Sequence, residues 1–461
     1  MIIQPAASPY RPDVKIKDLG PKIGDAATPA KFPKTIIRFR NDRWAQTVGL
    51  DNFSEEDWLS HFGRLCPLPD NLDPPLALRY HGHQFRVYNP EIGDGRGFLY
   101  AQMRDHKNRL MDLGTKGSGT TPWSRNGDGK LTLKGGVREI LATEMLEALG
   151  VETSKTFSLI ETGEELIRGD EPSPTRSAVM VRLNHSHIRF GTFQRIAFEQ
   201  DAERMSALVA YVMKHYYDDE QSDEPAAALL HRVVEKIAVQ AASYMVAGFV
   251  HGVLNTDNIN ITGESFDYGP WRFTPKWDPT FTAAYFDQNS LYSFARQPEA
   301  LHWNLGQLAV ALRTICEAEP LIEALERFPA LYQEAITRQF CWRLGVTPKG
   351  TNEDRSLIEA CEKALVQSQV DIDRFFFDFA GGGQPIGSEY ENEEFSGLRD
   401  LLSGYNVKRA RRHEYWKRDA PCSMHIEEVE SIWDAIADRD DWSHLHRKIE
   451  SIRNMGEALR S

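Results

Sequence analysis

The stretch GFVHGVLNTDNINITGESFDYGP, residues 248–270, is the part of the chain around which the rest is organised. An apolar helical pattern runs into it from about Ala226 and breaks at the polar loop His251-Gly252-Val253-Leu254-Asn255-Thr256-Asp257-Asn258. Alternating apolar residues, Ile259 and Ile261, lead on to Asp267-Tyr268-Gly269. Two carboxylates and an amide therefore stand at the ends of a short hairpin-like segment. Hard oxygen ligands at a loop edge suit Mg²⁺, which keeps several waters and shares its shell with phosphates. An Asx-rich turn capping a buried helix would use the same residue types, so this loop alone leaves both readings open.

The 461 residues are 41% hydrophobic and 26% charged, ample for a buried core and for two large lobes. A formal net charge of −13 argues against a general nucleic-acid binder. The acidic cluster Asp218-Asp219-Glu220 reads as a solvated loop. Cys66, Cys316, Cys341, Cys361 and Cys422 show no C-x-x-C spacing, so reduced thiols in a cytoplasmic protein are expected. The N-terminus has no apolar signal core and carries Asp13, Asp18 and Asp25. The longest apolar run, Ile237 to Val253, is interrupted by Gln240, Ser243 and His251, and reads as a core helix instead of a membrane span.

Upstream of the loop, residues 1–35 read as an extended arm. Ser54-Glu55-Glu56-Asp57 has a capping-box pattern and opens a short helix, and Pro67 to Pro75 form a connector. In Tyr80-His81-Gly82-His83-Gln84-Phe85 the two histidines read as a polar strand edge, with metal ligation the lesser alternative. The glycine-rich turn Gly93-Asp94-Gly95-Arg96-Gly97 precedes an apolar strand and exposes backbone N–H groups to which phosphate can come close. That strand turns at His106-Lys107-Asn108 and returns through Leu110 and Leu113 to Lys116. A second small-residue loop, Gly117 to Gly129, contains Asn126-Gly127-Asp128-Gly129. A helix is predicted over Val137–Leu149 with Glu139 in its first turn. There Glu139 either favours the helix dipole or pairs with Lys116 to position phosphates. Three short β-like runs are expected over 155–184, and Arg182 and Arg189 near one strand end could clamp a phosphate.

After Thr192 the pattern is mostly helical, over about 193–217, 226–249, 302–318, 321–326, 330–344, 357–368, 426–437 and 442–454. The basic, aromatic stretch from Arg409 to Arg418 reads as a solvated helix face.

Protein kinases show a similar order, with a strand lysine, a helix glutamate, a catalytic loop ending in Asn and an Asp-Phe-Gly metal site. Here Val253 stands where the kinase base would be. The whole set resembles the SelO (YdiU, selenoprotein O) family of protein adenylyltransferases, a kinase-like family of the pseudokinase type. The resemblance covers roughly residues 75–310. It rests on Tyr80 to Phe85, Gly93 to Gly97, Lys116 to Pro122, Ser124 to Gly129, Arg138-Glu139, Ser186 to Phe193, the His251–Asn258 loop with Asp267 to Pro270, Arg296-Gln297-Pro298 and Trp303-Asn304-Leu305. The family also lacks the kinase base at the Val253 position.

The resemblance implies an α+β, protein-kinase-like bilobal fold. Residues 1–75 would form an N-terminal arm and short helix, 76–191 a β-rich N-lobe, and 192–461 a mostly helical C-lobe with a C-terminal extension. It implies transfer of AMP from ATP, bound flipped relative to kinases, to protein Ser, Thr or Tyr hydroxyls with Mg²⁺ or Mn²⁺. Gly93, Gly95 and Arg96 would lie at the nucleotide, and Lys116 with Glu139 would position phosphates. Asp128, Gly129, Arg182, Arg189 and Asp267 would contact ATP. Asp257 would accept the proton, and Asn258 and Asp267 would hold the metal. ATP and proteins with accessible hydroxyls would be the partners, with no nucleic acid and no membrane. An ordinary kinase-type phosphotransferase and a silent nucleotide-binding scaffold are the alternatives. Ala283 stands where some members have a cysteine, and the region beyond about residue 380 is expected to depart from the family, so a regulatory disulfide is not expected.

Overall fold

A computed structural model describes residues 9–169, 171–219, 222–385 and 387–461. Residues 1–8 of the expected arm and Glu220 of the acidic cluster lie outside the described residues. The chain is α+β, with an antiparallel sheet in its N-terminal part and helices after it.

Among the described residues ten strands precede the helical part: β1 (Gly24–Ala26), β2 (Ile36–Arg40), β3 (Leu76–Leu78), β4 (Gly82–Gln84), β5 (Val87–Asn89), β6 (Leu99–Arg104), β7 (Leu110–Lys116), β8 (Leu131–Thr132), β9 (Lys155–Leu166) and β10 (Thr175–Asn184). Eight form one sheet in the order β1-β3-β6-β7-β10-β9-β2, with β8 paired to β10, while β4 and β5 form a separate hairpin. Parts of the expected arm are thus edge strands. The three short runs expected over 155–184 are two long strands, because Gly163 sits inside β9 without ending it.

The period of two explains the packing. Val179, Val181 and Leu183 of β10 face a core with Trp58, Phe62 and Phe157. Ala178 and Met180 face the opposite core, with Ile140 and Leu141 of the Leu133–Ala148 helix. Arg182 shares the second face, and so does Lys116, since Met180 pairs with Lys116 and Arg182 with Gly114 across β10 and β7. Strand parity therefore delivers a lysine and an arginine, diagonal neighbours, to one side of the sheet.

The predicted capping box forms: Ser54 Oγ accepts from Asp57 N and Asp57 Oδ2 accepts from Ser54 N, both at 3.1 Å. Most predicted helices are present, with shifted ends. The 193–217 pattern is two helices, Phe190–Phe198 and Ala202–Tyr216. Ile372–Phe379 and Glu393–Ser403 are helices that the sequence reading did not single out.

The helix Pro225–Ala247 is apolar on most of its surface because other helices, Gln297–Leu312 and Phe328–Leu344 among them, pack round it. It starts with Pro at its first turn and stops at Gly248, whose φ of 68° gives a left-handed cap. Phe249-Val250 (β11) then pairs with Arg272-Phe273 (β12), closing the whole 251–271 loop at its neck. No helix among the described residues is long and apolar enough to cross a membrane.

The Arg409–Arg418 stretch is not a solvated helix face. Tyr415 and Trp416 are buried beside Phe377, and the buried Arg409 donates to the carbonyls of Leu459 and Arg343. Aromatic residues between the arginines found apolar partners, and the guanidinium of Arg409 found orphan carbonyls near two helix ends.

Candidate active site

The 251–271 loop is anchored at three places. Phe190 N donates to Ile259 O and Ile261 N to Ile188 O, each at 3.0 Å, so the entrance to the Phe190–Phe198 helix lies along it. Ser154 N donates to Ser265 O and Ser265 N to Glu152 O, at 2.8 and 2.9 Å, at the start of β9. His251, buried under the loop, bonds Phe266 O at 3.1 Å through Nε2. Thr256–Asn258 closes into a short 3-10 turn. Asp267 takes a left-handed backbone, φ 62°, a conformation that Asp tolerates better than most residues and that often marks a functional position.

These anchors bring Asp257 and Asp267 to a cleft of about 670 Å³ against the sheet. Gly93, Gly95, Arg96, Lys116, Asp128, Gly129, Arg182 and Arg189 line the same cleft. Glu139 stands behind Lys116, fully buried. Asn258 is half-buried and is not among the cleft-lining residues; its Nδ2 donates to Val253 O at 3.0 Å.

The charges form one network. Lys116 Nζ is 2.6 Å from Glu139 Oε2 and 2.9 Å from Asp267 Oδ1. Arg182 Nη1 is 3.3 Å from Glu139 Oε1 and 3.2 Å from Asp267 Oδ1. Arg189 Nη1 lies 3.6 Å from Asp267 Oδ2 and donates to the Asp257 carbonyl at 2.9 Å, while its Nη2 meets Asp94 Oδ1 at 3.1 Å. Glu139 lies well inside a helix that begins at Leu133, so the first-turn dipole reading is corrected: β8 leads directly into a helix capped by Thr132. Its partners are the two cations.

The two loop carboxyls are pushed in opposite directions. Burial opposes ionisation of Asp267, but Lys116, Arg182, Arg189 and Arg96 outweigh it and hold the carboxyl well below the usual range. Burial pushes Asp257 up to about 6 against the pull of Arg189. Asp257 Oδ1 is buried without a hydrogen-bond partner.

The second small-residue loop folds over the cleft mouth. A Cβ on Gly129, φ 69°, would fall 2.2 Å from the Gly119 carbonyl, so only glycine allows this closure. Arg168 grips Asp128 with two bonds, at 2.8 and 3.1 Å. Burial works against the Asp128 carboxylate, yet Arg168 holds its carboxyl below the ordinary value. Sequence reasoning missed Arg168, which sits outside every motif, and gave no role to Asp94 or Gln84. Asp94, enclosed between glycines of a phosphate-type turn, was the more findable of these. The His81/His83 strand edge is the β4–β5 hairpin, where His81 Nδ1 meets Tyr88 Oη and His83 Nδ1 meets Gln194 Nε2, both at 2.7 Å.

Among the described residues no group of three or more His, Cys, Asp or Glu side chains is arranged to hold a metal by itself. An ion on Asp267 and Asn258 would therefore complete its shell with water and phosphate oxygens, which is the habit of Mg²⁺. The hard-oxygen donors of Asp267 and Asn258 fit that description.

The chain matches the family described as protein adenylyltransferase SelO over residues 8–453. It is 40% identical over 468 aligned residues to a protein nucleotidyltransferase YdiU of Synechocystis sp., covering 95% of this chain and 97% of the relative. A YdiU protein of Trichormus variabilis is 40% identical, with 96% and 95% covered, and one of Synechococcus elongatus is 41% identical, with 98% and 96% covered. These descriptions are of nucleotidyl transfer, and the pseudokinase label finds no support in them. The expected departure beyond residue 380 is also corrected. The family match runs on to residue 453, and there Arg453 forks onto the buried Glu144 of the Leu133–Ala148 helix at 2.7 and 2.8 Å. The chain belongs to the SelO family of protein adenylyltransferases and is a nucleotidyltransferase.

Proposed function

We propose that this protein transfers AMP from ATP to Ser, Thr or Tyr hydroxyls of other proteins, in the cytoplasm, with ATP flipped relative to a kinase. On this reading residues 76–191 and 192–461 are the N- and C-lobes of a kinase-like fold, with the described part of the N-terminal segment, residues 9–75, packed on them. The observation that carries it is the cluster of Lys116, Arg182 and Arg189 around Asp267, with the differently tuned Asp257 beside it.

Three cations on the sheet side suit the β- and γ-phosphates, which leave together as pyrophosphate. Arg182 and Arg189 are buried, and each keeps an Nε without a protein partner. In such a site fixed donors stabilise developing charge without reorganisation. Gripping the terminal phosphates deep in the cleft would turn the α-phosphate outward, towards Asp257. A carboxyl pushed up to about 6 is a stronger base than an ordinary aspartate, yet remains ionised at neutral pH. It would take the proton of the acceptor hydroxyl as its oxygen attacks the α-phosphorus. Asp267 and Asn258 would hold Mg²⁺, which when bound neutralises phosphate charge. Gly93, Gly95, Arg96, Asp128 and Gly129 would border the nucleotide.

Val253, at the position of the kinase base, weighs against γ-phosphate transfer. The deciding experiment incubates the protein with ATP labelled on the α- or the γ-phosphate. Label on protein from the α-position only is expected; label from the γ-position would overturn the reading in favour of a kinase.

A further inference from the structure

The nucleotide reading leaves the β4–β5 hairpin without a task. Its tip is Phe85-Arg86, and both residues have left-handed backbone, φ 50° and 64°. Two-residue turns of this type favour Asn and Gly, and bulky residues there persist only when their surroundings hold them. The surroundings here are the catalytic loop. His83 N donates to Thr256 Oγ1 at 2.7 Å, Gln84 Nε2 to Asp257 Oδ2 at 3.4 Å, and Phe85 N to Asn255 Oδ1 at 2.9 Å. Three successive hairpin residues thus grip three successive loop residues. The Phe85 ring packs on Tyr292, with centroids 5.1 Å apart, and the Tyr292 hydroxyl donates to the same Asn255 Oδ1 at 2.8 Å.

Asp257 is enclosed by this hairpin on one side. A Cβ on Gly82 would fall 2.7 Å from Asp257 Oδ1, so glycine is what lets the strand press against that buried oxygen. Oδ2 meets the Gln84 amide. Gln84 lines the cleft, and its own Oε1 accepts from Asn89 Nδ2 at 3.1 Å, which leaves Nε2 to face the carboxylate.

We infer that the hairpin orients Asp257 towards the acceptor hydroxyl and that Gln84 is the positioning residue that sets the rotation of its carboxylate. The inference rests on Asp257 being the proton acceptor, as proposed above. The 3.4 Å contact is at the long end of hydrogen bonding, as catalytic contacts are before the reacting groups close up. Gly82 blocks rotation on the Oδ1 side and Gln84 tethers the Oδ2 side. The carboxylate is then pre-aimed, and aim is worth large factors in a positioned proton transfer.

The test uses full-length Gln84→Ala and Gln84→Glu with α-labelled ATP, and the protein itself and unfolded casein as acceptors. Gln84→Glu keeps the shape and the Asn89 contact but replaces the donor with a repelling oxygen. A merely structural Gln84 would tolerate it. Both variants are expected to lose about ten-fold or more of the rate at saturating ATP. The ATP concentration for half-maximal rate and the melting temperature should stay near wild type. A Gln84→Glu protein with the wild-type rate overturns the inference, and so does a loss seen only as weaker ATP saturation or lower melting temperature. Asp257→Asn, run alongside, separates the two claims. If it keeps the wild-type rate, the Asp257 assignment itself fails; if it is inactive while Gln84→Glu is normal, only the role of Gln84 fails.

Discussion

Asp257 and Asp267 stand at opposite ends of one loop, and the fold treats them in opposite ways. Asp267 faces the sheet, where Lys116, Arg182 and Arg189 converge, and is held as a carboxylate. Asp257 faces the hairpin and is raised by burial. Glu264, on the same loop, faces away from the cleft into a second cavity, with His185 N as a donor at 2.9 Å, and burial pushes it up to about 7. Identical chemistry thus acquires three characters from three sets of neighbours. On the proposed function this separation would let Asp267 hold charge and Asp257 move a proton, while Glu264 supports the loop.

The largest expected effect comes from Asp267. Asp267→Ala should abolish transfer of the α-label, since it removes the carboxylate that would share the metal with phosphate. It should also tighten ATP binding in the presence of a chelator, because three cations lose their internal anion and become free for phosphate. Calorimetric titration checks this, and weaker metal-free binding would break the view of Asp267 as the competitor of the phosphates.

Asp257→Asn should lower the transfer rate by roughly 10²–10⁴ while leaving ATP affinity within a few-fold, as fits a group that moves a proton. An equal loss in ATP binding would place Asp257 with Asp267 instead of opposite it.

The arginines come next. Arg182→Ala should weaken ATP binding by about 1.5–3 kcal/mol and AMP binding by much less, since AMP lacks the phosphates at issue. Arg189 is a less clean probe. It holds Asp94 and the Asp257 carbonyl, and its guanidinium lies 4.4 Å from the Tyr80 ring centre. Arg189→Ala leaves Asp94 buried and unpaired, and should cost folding stability of about 3–5 kcal/mol, visible in denaturant titration.

The smallest effect sharpens the third member of the comparison. Burial raises the folded pKa of Glu264 from its ordinary 4.5 to about 7. The folded state therefore binds a proton that the unfolded chain releases. Its contribution is fully present below about 4.5 and is lost as pH rises through 7. Glu264→Gln, neutral throughout, should raise stability above pH 7 by roughly 1–2 kcal/mol, less than the full displacement because the carboxyl lines an open cavity. The gain should vanish near pH 4.5. Melting temperatures across that range test it, and a gain that is flat with pH would show that Glu264 is not held neutral.

Much of this was legible in the residues in order. Lys116 ends a strand because an apolar run through Leu110, Met111 and Leu113 leads into it after a turn at His106-Lys107-Asn108, and that pattern is local. The loop after Ala247 was legible because a glycine cap and a run of Asn and Asp cannot extend an apolar helix. The Ser54 box was legible for the same reason, since both partners lie within four residues. Periodicity and capping are short-range physics, and the order of elements follows from them.

Tertiary structure decided what those elements meet. Arg182 and Lys116 are far apart in the chain, and only antiparallel pairing of β10 with β7 sets them on one face. Glu139 had two readings, helix dipole or pairing with Lys116, and the helix start at Leu133 together with the Lys116 contact at 2.6 Å decided for the second. The Arg409 stretch looked solvated until Phe377, Leu459 and Arg343 supplied its partners. Gln84 was given no role of its own, because its contact with Asp257 joins residues 173 positions apart in the chain. Asp257 and Asp267 are the same residue type in the sequence; burial on one side and three cations on the other, both products of long-range packing, gave them different acidities.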